Sequence, residues 1–227
     1  MKVLGRWATV GYAILAVVLG AAITAVARRY TMPTTQIFDL QRRISDGTNL
    51  AFVTLVSTPV LVLTLMLASR RSGSSALAYL GLDIPRRRHI AITVVGVAIW
   101  IVFVEALGLV LGRNVSPWTL EIYRSAQADG SFIWLWLAIV VVGPIGEELL
   151  FRGFMFRGFV HAPRDAIPSI VLISLIWSLS HIQYDLLDIT EIFVLGLLLG
   201  LVRWSTGSTT LTTLLHMVYN LIEFVLV

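Results

Sequence analysis

Residues 132–152 read FIWLWLAIVVVGPIGEELLFR. No residue from Phe132 to Gly146 is charged, and then Glu147 and Glu148 stand side by side with Arg152 one turn later. A helix needs about 20 apolar residues to cross a bilayer core. This run reaches that length only by taking both carboxylates into the apolar slab. An ionised group near the bilayer centre costs about 3 kcal/mol on insertion scales. Such groups persist where they pair with one another or do chemistry, so the stretch reads as a membrane helix with a polar cluster turned inward.

The rest of the chain agrees. Of 227 residues, 57% are hydrophobic and 13% charged, against about 25% charged in an average soluble domain. The mean hydropathy is +0.87. Short alternating segments of the β-barrel kind are absent. The expected fold is all-α, a polytopic transmembrane helix bundle of about seven spans plus an interfacial helix. It forms one membrane-embedded domain over 1–227, with a motif-bearing core at about 131–226. The spans are expected at Trp7–Ala27, Leu50–Ser69, Ile90–Gly112, Phe132–Phe151, Ala166–Ile182, Thr190–Trp204 and Ser208–Val227. The fourth has apolar sequence to continue to about Val160. Between Pro117 and Gly130, Trp118, Leu120, Ile122 and Tyr123 alternate with Glu121, Arg124, Gln127 and Asp129, which suits a helix lying on the membrane surface. The first span, uncharged from Trp7 to Ala27, exceeds a signal-peptide core and is read as retained.

With no cysteine, disulfides, iron–sulfur clusters and thiol catalysis are excluded. The net charge of +4 lies mostly in loops and suits an anionic lipid surface, not nucleic acid. Most of the 17 Lys and Arg residues fall in the N-terminal tail and in the second, fourth and sixth loops, which places the N-terminus in the cytoplasm. Arg28, Arg29, Arg42 and Arg43 in the first loop pull the other way.

Three motifs carry chemistry. Glu148 and Arg152 are i, i+4 with the acid on the N-terminal side, the better order for a helical ion pair. Glu147 lies about 100° further round, so Glu148 and Arg152 build while Glu147 works. Gly143-Pro144-Ile145-Gly146 ahead of the pair predicts a kink that opens space beside Glu147. His181 closes an apolar run, with Trp177 one turn earlier on the same face. His216 and Asn220 share a face of the last span. Counting about 1.5 Å per residue puts His181 and His216 roughly 7–8 Å apart in depth. Glu105, late in the third span, is expected to pair with an Arg or line the cavity. Asp185 and Asp188 cap and solvate the loop before Thr190.

This set of groups suits hydrolysis of an amide. Glu147 would take a proton from water, His181 would hold that water, and His216 and Asn220 would donate to the developing oxyanion. A zinc version is also open, with Glu147, His181 and His216 as ligands and one position free. No His-Glu-x-x-His motif is present, which favours the metal-free form. Two readings from other classes use the same cluster: a proton-coupled transporter, weakened by the lack of a repeat pair with broken helices, and a non-catalytic membrane scaffold.

At Glu147-Glu148-Leu149-Leu150-Phe151-Arg152, Trp177 to His181, and His216 to Asn220, the chain resembles the CAAX prenyl endopeptidase and bacteriocin-processing (CPBP or Abi) family of intramembrane proteases. Arg203-Trp204-Ser205-Thr206-Gly207-Ser208 and Tyr79-Leu80-Gly81-Leu82-Asp83 also look like family segments. The resemblance covers about Val141 to Asn220. Trp177 stands where the family usually has Phe, which alters the shape of the substrate pocket. Carried over, the resemblance implies that Glu147 and His181 activate water, His216 and Asn220 bind the oxyanion, and Glu148 and Arg152 support them. The implied substrate is a membrane-associated or lipidated peptide or protein.

Overall fold

The computed structural model describes residues 3–31, 45–112 and 115–227. Arg42 and Arg43, which bear on the orientation argument, lie outside the described residues, as do Lys2 and Arg113. The elements among the described residues are helical. They are α1 (Arg6–Thr31), α2 (Gly47–Arg70), the short α3 (Ala76–Leu80), α4 (Arg87–Val110), α5 (Pro117–Ala128), α6 (Phe132–Phe159), α7 (Ala166–Leu179), α8 (Leu186–Thr206) and α9 (Thr209–Leu226).

Local chemistry sets several of these boundaries. Asp46 accepts from the Asn49 amide at 3.0 Å to start α2. Asp185 accepts from Leu187 and Asp188 at 2.8 and 2.9 Å to start α8, the capping role expected of it. Ser208 accepts from Leu211 to start α9. Each satisfies donors that a helix N-terminus leaves without intrahelical partners. Gly81 ends α3 in the left-handed region, at φ +70°, where a side chain is strained.

Among the described residues, five helices are long and apolar enough to cross a membrane: α1, α2, α4, α6 and α9. The seven expected spans are therefore represented by five on length and composition. α7 has 14 residues, about 21 Å at the helical rise, short of a bilayer core of about 30 Å. It stops at Leu179, before the expected Ile182. α6 runs unbroken to Phe159, the longer of the two lengths anticipated.

Burial runs opposite to a soluble protein. Val17, Val18, Val95, Ile99, Val102 and Phe103 are exposed, whereas Thr9, Thr24, Glu148, Arg152, Ser174, Thr212 and His216 are buried. Lipid is as apolar as a leucine side chain, so helices associate through close packing of small residues and internal hydrogen bonds. On α1 the buried face is Thr9, Ala13, Ala16, Gly20 and Thr24, and a Cβ at Gly20 would stand 3.2 Å from Ser57 on α2. α2 continues along α6, α6 packs on α9, and α7 and α8 form a hairpin beside them. α4 packs against α8 and α9.

α5 docks through buried Ile122, Tyr123 and Ala126 onto α2 and α6. Tyr123, Phe132 and Phe224 form an aromatic cluster, with ring centroids 4.5–5.8 Å apart. The family-like segment around Gly81 staples the start of α9: Thr209 donates its amide to Gly81 O at 2.8 Å, and Ser208 Oγ donates to Asp83 O at 3.0 Å. That anchor fixes His216 two turns into α9.

Candidate functional site

α6 carries the first two site residues through an irregular course. Leu137–Val142 and Leu149–Met155 are π-helical turns flanking the α-helical stretch Gly143–Glu148. Wide turns of this kind are frequent at functional sites. Pro144 supplies the cause of the first. The Gly143 amide reaches Ala138 O, five residues back. The next donor in that register would be Pro144, which has none. Its counterpart acceptor, Ile139 O, is taken instead by Asn220 Nδ2 of α9 at 2.9 Å.

Glu148 and Arg152 form the expected ion pair, with Nη1 to Oε1 at 2.7 Å. Glu148 is fully buried and Arg152 is 2% exposed. Arg152 also donates through Nη2 to Gly196 O of α8 at 3.2 Å, and its backbone carbonyl accepts from Arg203 Nε at 2.9 Å. Glu148 Oε1 has a second neighbour that spacing did not suggest: His216 Nδ1, 3.2 Å away. A carboxylate paired with a guanidinium can only accept, so His216 carries its proton on Nδ1 toward Glu148. Nε2 is the nitrogen left to offer. The supporting pair thus orients one of the two imidazoles.

Glu147 points elsewhere and is half-buried. Its Oε2 accepts from the indole N–H of Trp177 at 2.6 Å. His181 sits on the turn just past α7, where its amide bonds Ser178 O. Its Nδ1 lies 2.9 Å from Trp177 O. A carbonyl only accepts, so this nitrogen donates, and Nε2 of the neutral ring keeps its lone pair. Tyr184 stacks on the His181 ring at 6.3 Å, and Trp118 of α5 meets Tyr184 edge-on at 5.0 Å. Burial pushes the Tyr184 hydroxyl up to about 12, so it remains a neutral donor.

Trp177 joins these parts. It is 2% exposed. His216 meets its ring edge-on at 5.2 Å and His181 at 5.6 Å, while the Arg152 guanidinium lies 4.3 Å over its face. Whatever offset in depth separates the two histidine backbones, both rings reach the same indole. Trp177, expected to line a substrate pocket, is packed at the centre of the cluster and donates to Glu147. Its bulk is accommodated by Gly196, where a Cβ would stand 2.9 Å from Ser174 Cβ and 3.1 Å from Trp177 Cε3. Gly196→Ala is expected to lower thermal stability, by about 1–3 kcal/mol for overpacking, read in a melting curve of the detergent-solubilised protein. An unchanged transition would contradict this packing.

Three partners were invisible to sequence reasoning: Trp177 for Glu147, Glu148 for His216, and Ile139 for Asn220. Only the last had a local signal, a carbonyl five residues before a proline.

The three side chains proposed as zinc ligands are not arranged as such. Among the described residues no three His, Asp or Glu side chains are placed to hold one metal ion. Glu147 Oε2 turns to the indole, and the Nδ1 atoms of both histidines turn to oxygen acceptors. The metalloendopeptidase version is not supported by this geometry. Glu105 is exposed on α4, and no Arg pairs with it among the described residues. A separate polar contact, Tyr219 donating to Glu191, joins α9 to α8.

No solved structure matches the chain. An uncharacterized 24.3 kDa protein of Escherichia coli is 32% identical over 122 residues, which is 53% of this chain and 56% of that protein, so the two are alike over little more than half of either. Residues 129–222 match the family model described as type II CAAX prenyl endopeptidase Rce1-like. That segment takes in Glu147, Glu148, Arg152, His181, His216 and Asn220, and over it the chain is similar to the Rce1-like CAAX prenyl endopeptidases.

Proposed function

We propose that this protein is an intramembrane endopeptidase that hydrolyses a peptide bond of a membrane-associated or lipidated peptide or protein. One observation carries the reading: the Glu147 carboxylate and the His181 and His216 rings, from three separate parts of the fold, all meet the Trp177 indole. The family match supports the reaction class.

In this reading Glu147 takes one proton from a water molecule held by His181 Nε2. The oxygen of that water bonds to the carbonyl carbon, and the carbonyl oxygen becomes an oxyanion. His216, aligned by Glu148, meets that oxyanion through Nε2, which donates when the ring carries both protons. Asn220 adds the second N–H of its amide. The carbon–nitrogen bond then breaks, and the leaving nitrogen takes the proton back from Glu147, which restores the carboxylate. Glu148 and Arg152 position the site without touching substrate. α7 and α8 complete the bundle, with the N-terminus in the cytoplasm.

Asn220 has two tasks in this account. Asn220→Ala is expected to lower both activity and stability, the latter by about 1–3 kcal/mol because Ile139 O loses its donor. Loss of activity at wild-type stability would instead leave Asn220 with the oxyanion alone. The function itself is tested by reconstitution into liposomes with two fluorogenic probes, a farnesylated CAAX peptide and the same peptide without the lipid. The expected result is cleavage of at least one probe by wild type and none by Glu147→Ala. Equal cleavage by both proteins, or none by wild type, would overturn the reading.

A further inference from the structure

The family pattern has Phe four residues before the first histidine, and this chain has Trp177. Phe offers a ring and no donor; Trp adds a single N–H that cannot accept. Here that N–H points at Glu147 Oε2 from 2.6 Å, a short, charge-assisted distance. The indole has little freedom to leave. It is 2% exposed, with Arg152 over its face, the two imidazoles at its edges, and Gly196 giving way where a Cβ would press on it. Arg152, on the same helix, is already committed to Glu148 and Gly196 O. The indole is the donor that the described residues place on Glu147.

We infer that Trp177 is a positioning residue of this protein: its indole N–H fixes the Glu147 carboxylate by Oε2 and leaves Oε1 as the oxygen that meets water. The inference rests on Glu147 being the base. A glutamate carboxylate on three rotatable bonds reaches many orientations, and a base displaced by about 1 Å costs about 10²-fold in rate. One fixed oxygen removes most of that freedom. Loss of the N–H should thus appear in kcat and leave KM in place, because the indole N–H is spent on Glu147 Oε2 and acts on the step that carboxylate performs.

The test has two arms. In the first, the indole protons of the 15N-tryptophan-labelled protein are followed by NMR in detergent micelles, and the Trp177 signal is assigned by its loss in Trp177→Phe. The expected signal lies downfield in wild type and moves upfield in Glu147→Ala. A signal indifferent to Glu147→Ala overturns the inference, whether or not the wild-type protein cleaves anything. In the second, Trp177 is replaced by benzothienylalanine, which keeps the fused-ring shape and has sulfur in place of N–H, so packing is retained where Trp177→Phe leaves a gap. The expected result is a kcat lower by about 10²-fold at unchanged KM and melting temperature. Wild-type kcat in that variant overturns the inference. A wild-type protein that cleaves no probe sinks the proposed function, and the NMR arm still decides the bond.

Discussion

Glu147→Gln is expected to lower kcat by about 10²–10⁴-fold, the range that a positioned general base contributes, with the melting temperature unchanged. The separation of effects comes from the local geometry. Glu147 is half-buried and accepts a hydrogen bond from the Trp177 indole. The amide oxygen of Gln accepts that bond equally, so the indole is not left buried and unpartnered. What Gln lacks is the lone-pair basicity to take a proton from water. Glu147→Ala should remove the same activity and also cost about 1–3 kcal/mol through the stranded N–H. Initial rates and melting curves of the three proteins, measured on one preparation each, check the pattern. A Gln variant within threefold of wild type would move the base elsewhere.

The second large effect falls on stability. Glu148→Ala is expected to cost about 3–5 kcal/mol, the usual result of deleting one member of a buried ion pair. For a chain of this size that corresponds to a fall of about 10 °C in the melting transition. Glu148 has no exposed surface and Arg152 almost none, so the orphaned guanidinium finds no water. Gly196 O and the Trp177 face remain to it, and neither carries a negative charge. His216 loses its Nδ1 acceptor in the same step, so residual protein should be slow as well as unstable. Glu148→Gln keeps an acceptor without the charge and should fall between the two. Calorimetry in detergent reads all three, and a Glu148→Ala transition at the wild-type temperature would contradict the buried pair.

Residue type and spacing were enough for the parts of this site that lie within one helix. The Glu148–Arg152 pair follows from i, i+4 order on α6, and the separation of Glu147 from that pair follows from helical phase. The helical character of the chain and the five long apolar spans among the described residues follow from run length, and Asp185 as a cap follows from its place before α8. What lay beyond reach is what passes between helices. That His216 answers to Glu148 depends on α9 packing along α6, and no local pattern encodes that register. The shortness of α7 was hidden because hydropathy does not register the turn at Ser180 and His181, where the chain leaves the helix within an apolar run. Trp177 was legible as an aromatic on the His181 face, yet its partner lies thirty residues away in sequence. The first π turn of α6 had a cue in Pro144, although the repair of the freed carbonyl by Asn220 needed the neighbouring helix to be in place.

The central claim is that a water molecule activated at Glu147 cuts a peptide bond inside this bundle. The most direct measurement is mass spectrometry of probe peptides incubated with the reconstituted protein in 18O-labelled water. The account predicts two fragments from wild type, with one labelled oxygen in the new C-terminal carboxylate, and intact peptide from Glu147→Gln. Intact peptide from wild type, or identical labelled fragments from both proteins, would contradict it.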